Sequence, residues 1–339
     1  MQLSASIPMA AFGSESTAAA PCFPAGHELM EFVRKPASYY KFRQDIRMPV
    51  MNWLYAPNGD ALALVGPTGT GKSSLIREIC ALLNWPYAQE NAHSRMEVAD
   101  LVGMLQLTCD PATGDQQTKF VYGSLARAMK FGMVFCLDEA DVLDPSVMSG
   151  FNAILEGEPL VISQNGGEVI VPHPNFRFVV TCNTRGQGDE TGLMAGTQTQ
   201  NLATWDRYRM IEVPYMDEDD EVELMQHVLV GAPEPVLRTM VQVANNVRAQ
   251  FVGNPDATGK SGNLTVTFST RTLLRWGRVG VTYQKNNVGG CPLGKALRES
   301  LTNRAVPVQR LAIHGIAKDL FGSAWDNDEV LAVTDAQTA

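Results

Sequence analysis

Apolar residues in this chain gather in short strand-length segments, several of them interrupted by polar residues, set apart by longer stretches of helical spacing. Five runs, at 61–65, 87–90, 133–137, 176–182 and 209–213, have the length of strands buried on both faces. Helical patterns alternate with them, which predicts an α/β fold with a parallel sheet covered on both sides. Two segments between the strands read as inserted hairpins. One, at 105–122, turns through Asp110-Pro111-Ala112-Thr113-Gly114-Asp115, and the other, at 159–172, through Asn165-Gly166-Gly167. After Pro214 the acidic run Asp217 to Glu221 opens a helix ending near Gly231, where negative charge suits the helix N-terminus. It reads as a solvated helix start in preference to a metal site. Beyond Pro233 and Pro235 the patterns are helical, at 235–252, 270–284, 293–304 and 308–321, with a polar, Gly-rich loop at 253–263. Residues 1–26 have no periodicity and read as a flexible or loosely packed leader. A short helix around Glu28 to Val33 follows. The expected divisions are an N-terminal leader or partner region over 1–55, an α/β core over 56–231, a helical lid domain over 232–325 and a tail over 326–339.

The first strand, Ala61-Leu62-Ala63-Leu64-Val65, runs into Gly66-Pro67-Thr68-Gly69-Thr70-Gly71-Lys72-Ser73 and then into a helix. This is G-x-x-x-x-G-K-S in strand–loop–helix context, the pattern of a phosphate-binding loop. The glycines let backbone N–H groups turn inward around a phosphate chain at the positive end of the new helix, with Pro67, Thr68, Thr70 and Ser74 completing the cradle. Lys72 would reach the β- and γ-phosphates of ATP, and Ser73 would ligate Mg²⁺. A second Gly-Lys-Ser, Gly259-Lys260-Ser261, has Asn254 in the first glycine's place and Pro255 after it, so it reads as a loop.

Met133-Val134-Phe135-Cys136-Leu137 ends in Asp138-Glu139. The C-terminal ends of parallel strands face the ligand crevice. There Asp138 would hold the Mg²⁺ shell and Glu139 would polarise an attacking water. The alternative is a strand running into an acidic cap. The strand Phe176 to Cys182 ends at Asn183, an amide able to hold water beside a γ-phosphate without adding charge. Arg207 and Arg209 flank the start of the last strand, and Ser269-Thr270-Arg271 begins a helix. A guanidinium can neutralise charge in phosphoryl transfer, and it can come from a neighbouring subunit. In isolation such arginines are more often surface ion-pair partners, and Ser269 reads as an N-cap.

At 339 residues the chain can bury a sizeable core, and with 45% hydrophobic and 19% charged residues it is globular. A net charge of −9 disfavours a general role in coating nucleic acid or anionic membrane. The cluster Tyr39-Tyr40-Lys41-Phe42-Arg43 allows base stacking, adenine contact or plain packing beside the phosphate loop. Six scattered cysteines lack metal-site spacing and point to buried, reduced thiols. With no secretion signal at the N-terminus and no long apolar segment, the expected location is cytoplasmic.

The order and spacing of these pieces resemble the AAA+ ATPases of the MoxR branch. Within it, Leu83-Asn84-Trp85-Pro86, Asp100-Leu101-Val102-Gly103, Pro172 to Arg177, Gly188 to Leu193 and Gly196-Thr197-Gln198 are similar to the CobS type of cobaltochelatase ATPase subunit. The likeness is firm over about 60 to 215, looser through the helical domain, and fades over residues 1–55. The resemblance implies an AAA+ module with a parallel-sheet P-loop core and a helical lid. It casts Asn183 as sensor 1, Arg207 as the trans-acting finger with Arg209 as second candidate, and Arg271 as sensor 2. It further implies hexameric rings with ATP sites between protomers, hairpins facing the pore or the partner, and a von Willebrand A domain protein as partner.

Overall fold

The computed structural model describes residues 2–109, 114–189, 192–194, 196–251, 264–286 and 289–326. The chain divides into two compact units, one built from 1–66, 71–190 and 194–213 and the other from 67–70, 191–193 and 214–339.

The first unit begins with an antiparallel pair, β1 (Ala5–Pro8) and β2 (Ala19–Cys22), and a helix, α1 (Gln44–Tyr55). Then come β3 (Ala61–Val65), α2 (Lys72–Leu82), β4 (Tyr87–Asn91) and α3 (Val98–Val102). A hairpin of β5 (Gly103–Cys109) and β6 (Gln116–Tyr122) precedes α4 (Ser124–Phe131) and β7 (Val134–Asp138). Short helices α5 (Pro145–Ser149) and α6 (Asn152–Leu155) lead to a second hairpin, β8 (Leu160–Ile162) with β9 (Glu168–Ile170). The unit closes with β10 (Arg177–Cys182), α7 (Leu202–Trp205) and β11 (Tyr208–Glu212).

Five of these strands form one parallel sheet in the order β11-β3-β10-β7-β4. They are the five apolar runs expected from the sequence, shifted by a residue or less at most ends. Side chains alternate across the sheet. Ala63, Val65, Phe135 and Val180 enter one core, while Leu62, Leu64, Cys136 and Val179 enter the other. The central strands β3, β7 and β10 are buried on both faces, while the edge strands β4 and β11 carry polar residues and are only partly buried. Both inserted hairpins form, although residues 110–113 of the first expected turn lie outside the described residues, as does the Gly259-Lys260-Ser261 loop.

The expectation of a loosely packed leader is not met. Phe12 and Phe23 are fully buried, in the same core as Trp53 and Trp85. Phe23 stands edge-on to Trp85 at 5.1 Å, its N–H donates to the Leu83 carbonyl at 3.0 Å, and Asn84 Nδ2 donates to its carbonyl at 3.0 Å. Isolated anchors such as Phe12 and Phe23 carry no period, so the pattern along the chain could not reveal them. The helix expected around Glu28 to Val33 is a single 3₁₀ turn, Met30–Phe32, and the real helix of this region is α1. Pro49 lies inside α1 and masks it, because a proline removes one helix hydrogen bond and reads as a breaker. Of the aromatic and basic cluster, Phe42 is buried against Phe12, and Tyr40 packs edge-on to Phe42 at 4.7 Å. Packing, not base stacking, occupies those two rings.

The second unit is helical: α8 (Glu218–Val228), α9 (Glu234–Ala249), α10 (Thr270–Lys285), α11 (Pro292–Ser300) and α12 (Pro307–Phe321) surround a core that includes Leu237, Phe268, Trp276 and Ile313. The solvated reading of the acidic run fails at Glu221. That carboxylate is fully buried and takes a two-pronged ion pair from Arg248, at 2.7 and 2.8 Å, plus the Thr270 hydroxyl at 2.6 Å. A charge tolerates burial only when its oxygens are satisfied in this way. All six cysteines are free, with Cys22, Cys80, Cys136 and Cys182 buried. No helix among the described residues is long and apolar enough to cross a membrane.

Candidate functional site

The site begins where β3 ends. An N–H from Gly66 reaches the Cys182 carbonyl at 3.2 Å, and Val213 donates to the Val65 carbonyl at 2.7 Å, so the loop leaves the sheet between β10 and β11. A Cβ on Gly66 would sit 2.3 Å from the Val213 carbonyl oxygen, which is why no side chain fits there. Gly71, the N-cap of α2, has a left-handed φ of 93°. No side chain caps the first turn of α2, so its N–H groups and the positive end of its dipole stay open to an anion. The Thr70 hydroxyl closes the loop on the Pro67 carbonyl at 3.1 Å.

Four of the expected site residues converge here from α2, β7 and the end of β10. Lys72, 7% exposed, donates to the Gly66 carbonyl at 2.7 Å and to Asn183 Oδ1 at 3.0 Å. Burial pushes its pKa down, and the carboxylates of Asp141, Asp138 and Glu139 oppose that shift. The Ser73 hydroxyl donates to both oxygens of Asp138, at 2.9 and 3.1 Å. A hydroxyl and a carboxylate held together beside a phosphate cradle are the oxygen donors that Mg²⁺ takes from a protein, with the rest of its shell left to water and phosphate. The residues therefore fit that ion. Glu139 follows Asp138 with a left-handed φ of 58° and an exposed side chain, and its N–H donates to the Thr181 hydroxyl at 3.1 Å.

Three residues of the site carry no sequence signal that singled them out. Thr181, inside an apolar run, donates its hydroxyl to Asp138 Oδ1. Gln89 on β4 donates to Asp138 Oδ2 at 3.1 Å. Asp141, three residues past Asp138, holds the backbone of Asn183 and Thr184 at 2.8 and 2.9 Å. Their partners lie 43, 49 and 42 residues away along the chain.

Arg207 and Arg209 lie elsewhere in the first unit. Arg207 immediately precedes β11, and its carbonyl accepts the Ala61 N–H at 3.1 Å, so it stands at the start of the sheet strands while the phosphate loop stands at their end. At about 3.3 Å per residue, the five residues of β3 put roughly 15 Å between them. Its side chain is held by Glu156 at 2.7 Å. Arg209 reaches Asp60 at 3.1 Å and the Pro57 carbonyl at 3.3 Å. Arg271 belongs to the second unit, exposed in the first turn of α10, where Ser269 serves as the N-cap and accepts the Thr272 N–H at 3.1 Å.

Residues 61–198 match the AAA domain of the dynein-related subfamily, and residues 221–319 match the CbbQ/NirQ/NorQ C-terminal family. An aerobic cobaltochelatase subunit CobS from Sinorhizobium sp is 34% identical over 216 residues, 62% of this chain and 62% of that protein. The chain thus spans less than two thirds of that relative's length. An uncharacterized protein from Staphylococcus epidermidis is 28% identical over 193 residues, 53% of this chain and 69% of the other. A crystal structure of a protein from Cytophaga hutchinsonii aligns with 80% of this chain and 89% of its own, at 14% identity and a TM-score of 0.41.

Proposed function

We propose, for a chain that belongs to the AAA ATPases and joins a dynein-related AAA domain to a CbbQ/NirQ/NorQ C-terminal domain, a ring-forming motor that hydrolyses Mg·ATP to act on a partner protein. The observation that carries this reading is the meeting of Lys72, Ser73, Asp138 and Asn183 at the open N-terminus of α2.

In the proposed reaction the loop from Gly66 to Ser74 cradles the triphosphate, and Lys72 leaves Asn183 to pair with the β- and γ-phosphates. Ser73 and Asp138 would hold Mg²⁺, which neutralises charge on the phosphates when bound. Glu139 polarises the attacking water, and Asn183, an uncharged amide, orients it. Arg207 cannot reach its own loop from the far end of the sheet, so it would serve the site of an adjoining copy, with Arg209 as the second candidate for that finger. Arg271 would contact the nucleotide from the lid as sensor 2. This division of labour requires an adjoining copy, for which we take the hexameric ring of the resemblance.

The client is a protein. Similarity to a cobaltochelatase subunit supports a role in cobalt insertion into a corrin ring, with a CobT-like von Willebrand A domain protein as partner. Maturation of a different enzyme by the same kind of motor is the second reading. It is favoured by the C-terminal match, which is not to a cobaltochelatase family. A nucleic-acid-stimulated motor is the reading least supported, since Tyr40 and Phe42 of the aromatic and basic cluster pack against each other.

The test is hydrolysis by the purified chain. ATP turnover should require Mg²⁺ and rise with protein concentration as rings form, and Glu139→Gln should retain ATP while turnover stops. Protein that neither binds adenine nucleotide with magnesium nor self-associates would overturn the proposal. Cobalt insertion into a corrin precursor on addition of partner subunits would separate the chelatase reading from maturation of another enzyme.

A further inference from the structure

Asp141 sits in the 3₁₀ turn after β7, completely buried. Its Oδ2 gathers three donors: the N–H of Asn183 at 2.8 Å, the N–H of Thr184 at 2.9 Å and the Thr184 hydroxyl at 3.2 Å. Its carbonyl accepts the Gln198 N–H at 2.8 Å. Oδ1 has no hydrogen-bond partner.

This is an uneven use of a carboxylate. Two successive backbone N–H groups aimed at one oxygen form a small anion nest, which a neutral acceptor could also fill. A fully buried carboxylate with one oxygen unmet is costly, so closing a turn is a poor reason for a charge at this place. A better reason lies one contact away. Asn183, whose backbone Asp141 grips, accepts from the Lys72 ammonium at 3.0 Å through its side chain. Among the charges that oppose the effect of burial on Lys72, Asp141 acts most strongly, ahead of Asp138 and Glu139.

We propose that Asp141 is a positioning residue for the hydrolysis put forward above: it ties the turn carrying Glu139 to the end of β10, and so sets where the Asn183 amide stands relative to Glu139. The inference rests on that functional reading. Asp141 is fully buried and acts through the backbone of Asn183. The tie joins the backbone that follows Asp138 and Glu139 to the backbone that carries Asn183. The general base and the water-holding amide are then placed by one side chain, and a shift of either by an ångström separates them from a shared water.

A double-mutant cycle on the full-length protein tests this, with turnover and Mg·ATP binding measured separately. Asp141→Ala, which takes the acceptor away from both N–H groups, should lower kcat on the order of 10²-fold, the loss expected for a misplacement of about 1 Å, while the Kd for Mg·ATP stays within about threefold. In an Asn183→Ala background, the same substitution should change kcat by no more than about twofold, because its effect passes through a side chain already removed. Equal losses in both backgrounds, loss of affinity matching the loss of kcat, or an unchanged kcat would each overturn the proposal. Should Asp141→Ala fail to fold, Asp141→Glu carries the test. It keeps the charge but pushes the carboxylate out by one methylene, and the same dependence on Asn183 is expected. A wild-type protein without ATP turnover would overturn the functional reading instead, and leave no rate for Asp141 to affect.

Discussion

Replacing Arg248 with methionine removes one member of an ion pair buried in the second unit and leaves the other without its counter-charge. Arg248 and Glu221 have side chains 8% and 0% exposed, and meet through two hydrogen bonds at 2.7 and 2.8 Å. The guanidinium also donates to the Phe268 carbonyl at 2.7 Å and to Asn245 Oδ1 at 2.8 Å, and it lies 4.1 Å from the centre of the Tyr215 ring. Methionine matches the length of the arginine stem, so the hydrophobic loss is small and the buried, uncompensated Glu221 dominates. Breaking such a pair from one side costs about 3–5 kcal/mol. The second unit lies between the 60–100 and 150–250 residue classes, where 1 kcal/mol shifts the midpoint by about 4 °C, so its melting temperature should fall by roughly 10–20 °C. The assay is thermal unfolding followed by circular dichroism, for Arg248→Met, Glu221→Leu and the double variant. Removing both charges should recover most of the loss, because no ion is then left buried alone. A melting temperature for Arg248→Met within about 2 °C of wild type would refute the reasoning, as would a double variant whose loss equals the sum of the singles. The same network pins Thr270, the neighbour of Arg271, through its hydroxyl bond to Glu221. Where Arg271 contributes to turnover, Glu221→Leu should lower it even at temperatures where the protein stays folded.

Arg207→Ala should reduce hydrolysis on the order of 10³-fold and be partly rescued by mixing with Lys72→Ala protomers, which keep the arginine but lack a working loop. Absence of rescue at every mixing ratio would exclude a finger acting between copies. Gly66→Ala drives a Cβ to 2.3 Å from the Val213 carbonyl oxygen, so nucleotide affinity should fall by roughly tenfold or more; a titration with a fluorescent ATP analogue that gives wild-type affinity would show that the loop can yield. Lys130 at 2.8 Å and Tyr122 at 2.6 Å hold Glu168 between the two hairpins and lower its pKa to about 2. A carboxylate depressed on folding stabilises above its unfolded value, and that support is lost as pH falls toward the folded one. Amide exchange in β8 and β9 should therefore quicken, relative to β7, between pH 4.5 and about 2. Glu168→Gln should remove that acid response, and an unchanged response would show that the clasp does not hold the hairpins.

The parts of this protein written plainly along the chain are those decided by neighbours in sequence. Ala61 to Val65 can be read as a buried strand because five apolar residues in a row, stopped by glycine, have few other stable fates. Gly66 to Ser73 can be read as a phosphate loop because the backbone turn and the helix start that make it are local. Asn165-Gly166-Gly167 announces its hairpin for the same reason, and both of its glycines have positive φ.

Tertiary structure decided whatever depends on a partner distant in sequence. The order β11-β3-β10-β7-β4 brings Asn183 beside Lys72, 111 residues away, and no run of residues states that order. Phe12 and Phe23 count as core because Trp53, Phe42 and Trp85 surround them, although a leader rich in small residues gives them no period. Glu221 looks like any acid in the first turn of a helix until Arg248 arrives from α9, and Asp141 looks like the tail of an acidic cap until it closes on the backbone of Asn183. The reason is the same each time. Backbone preference and hydrophobic period act over a few residues and leave their mark in the sequence, while a buried charge or ring takes its energy from what the folded chain brings against it.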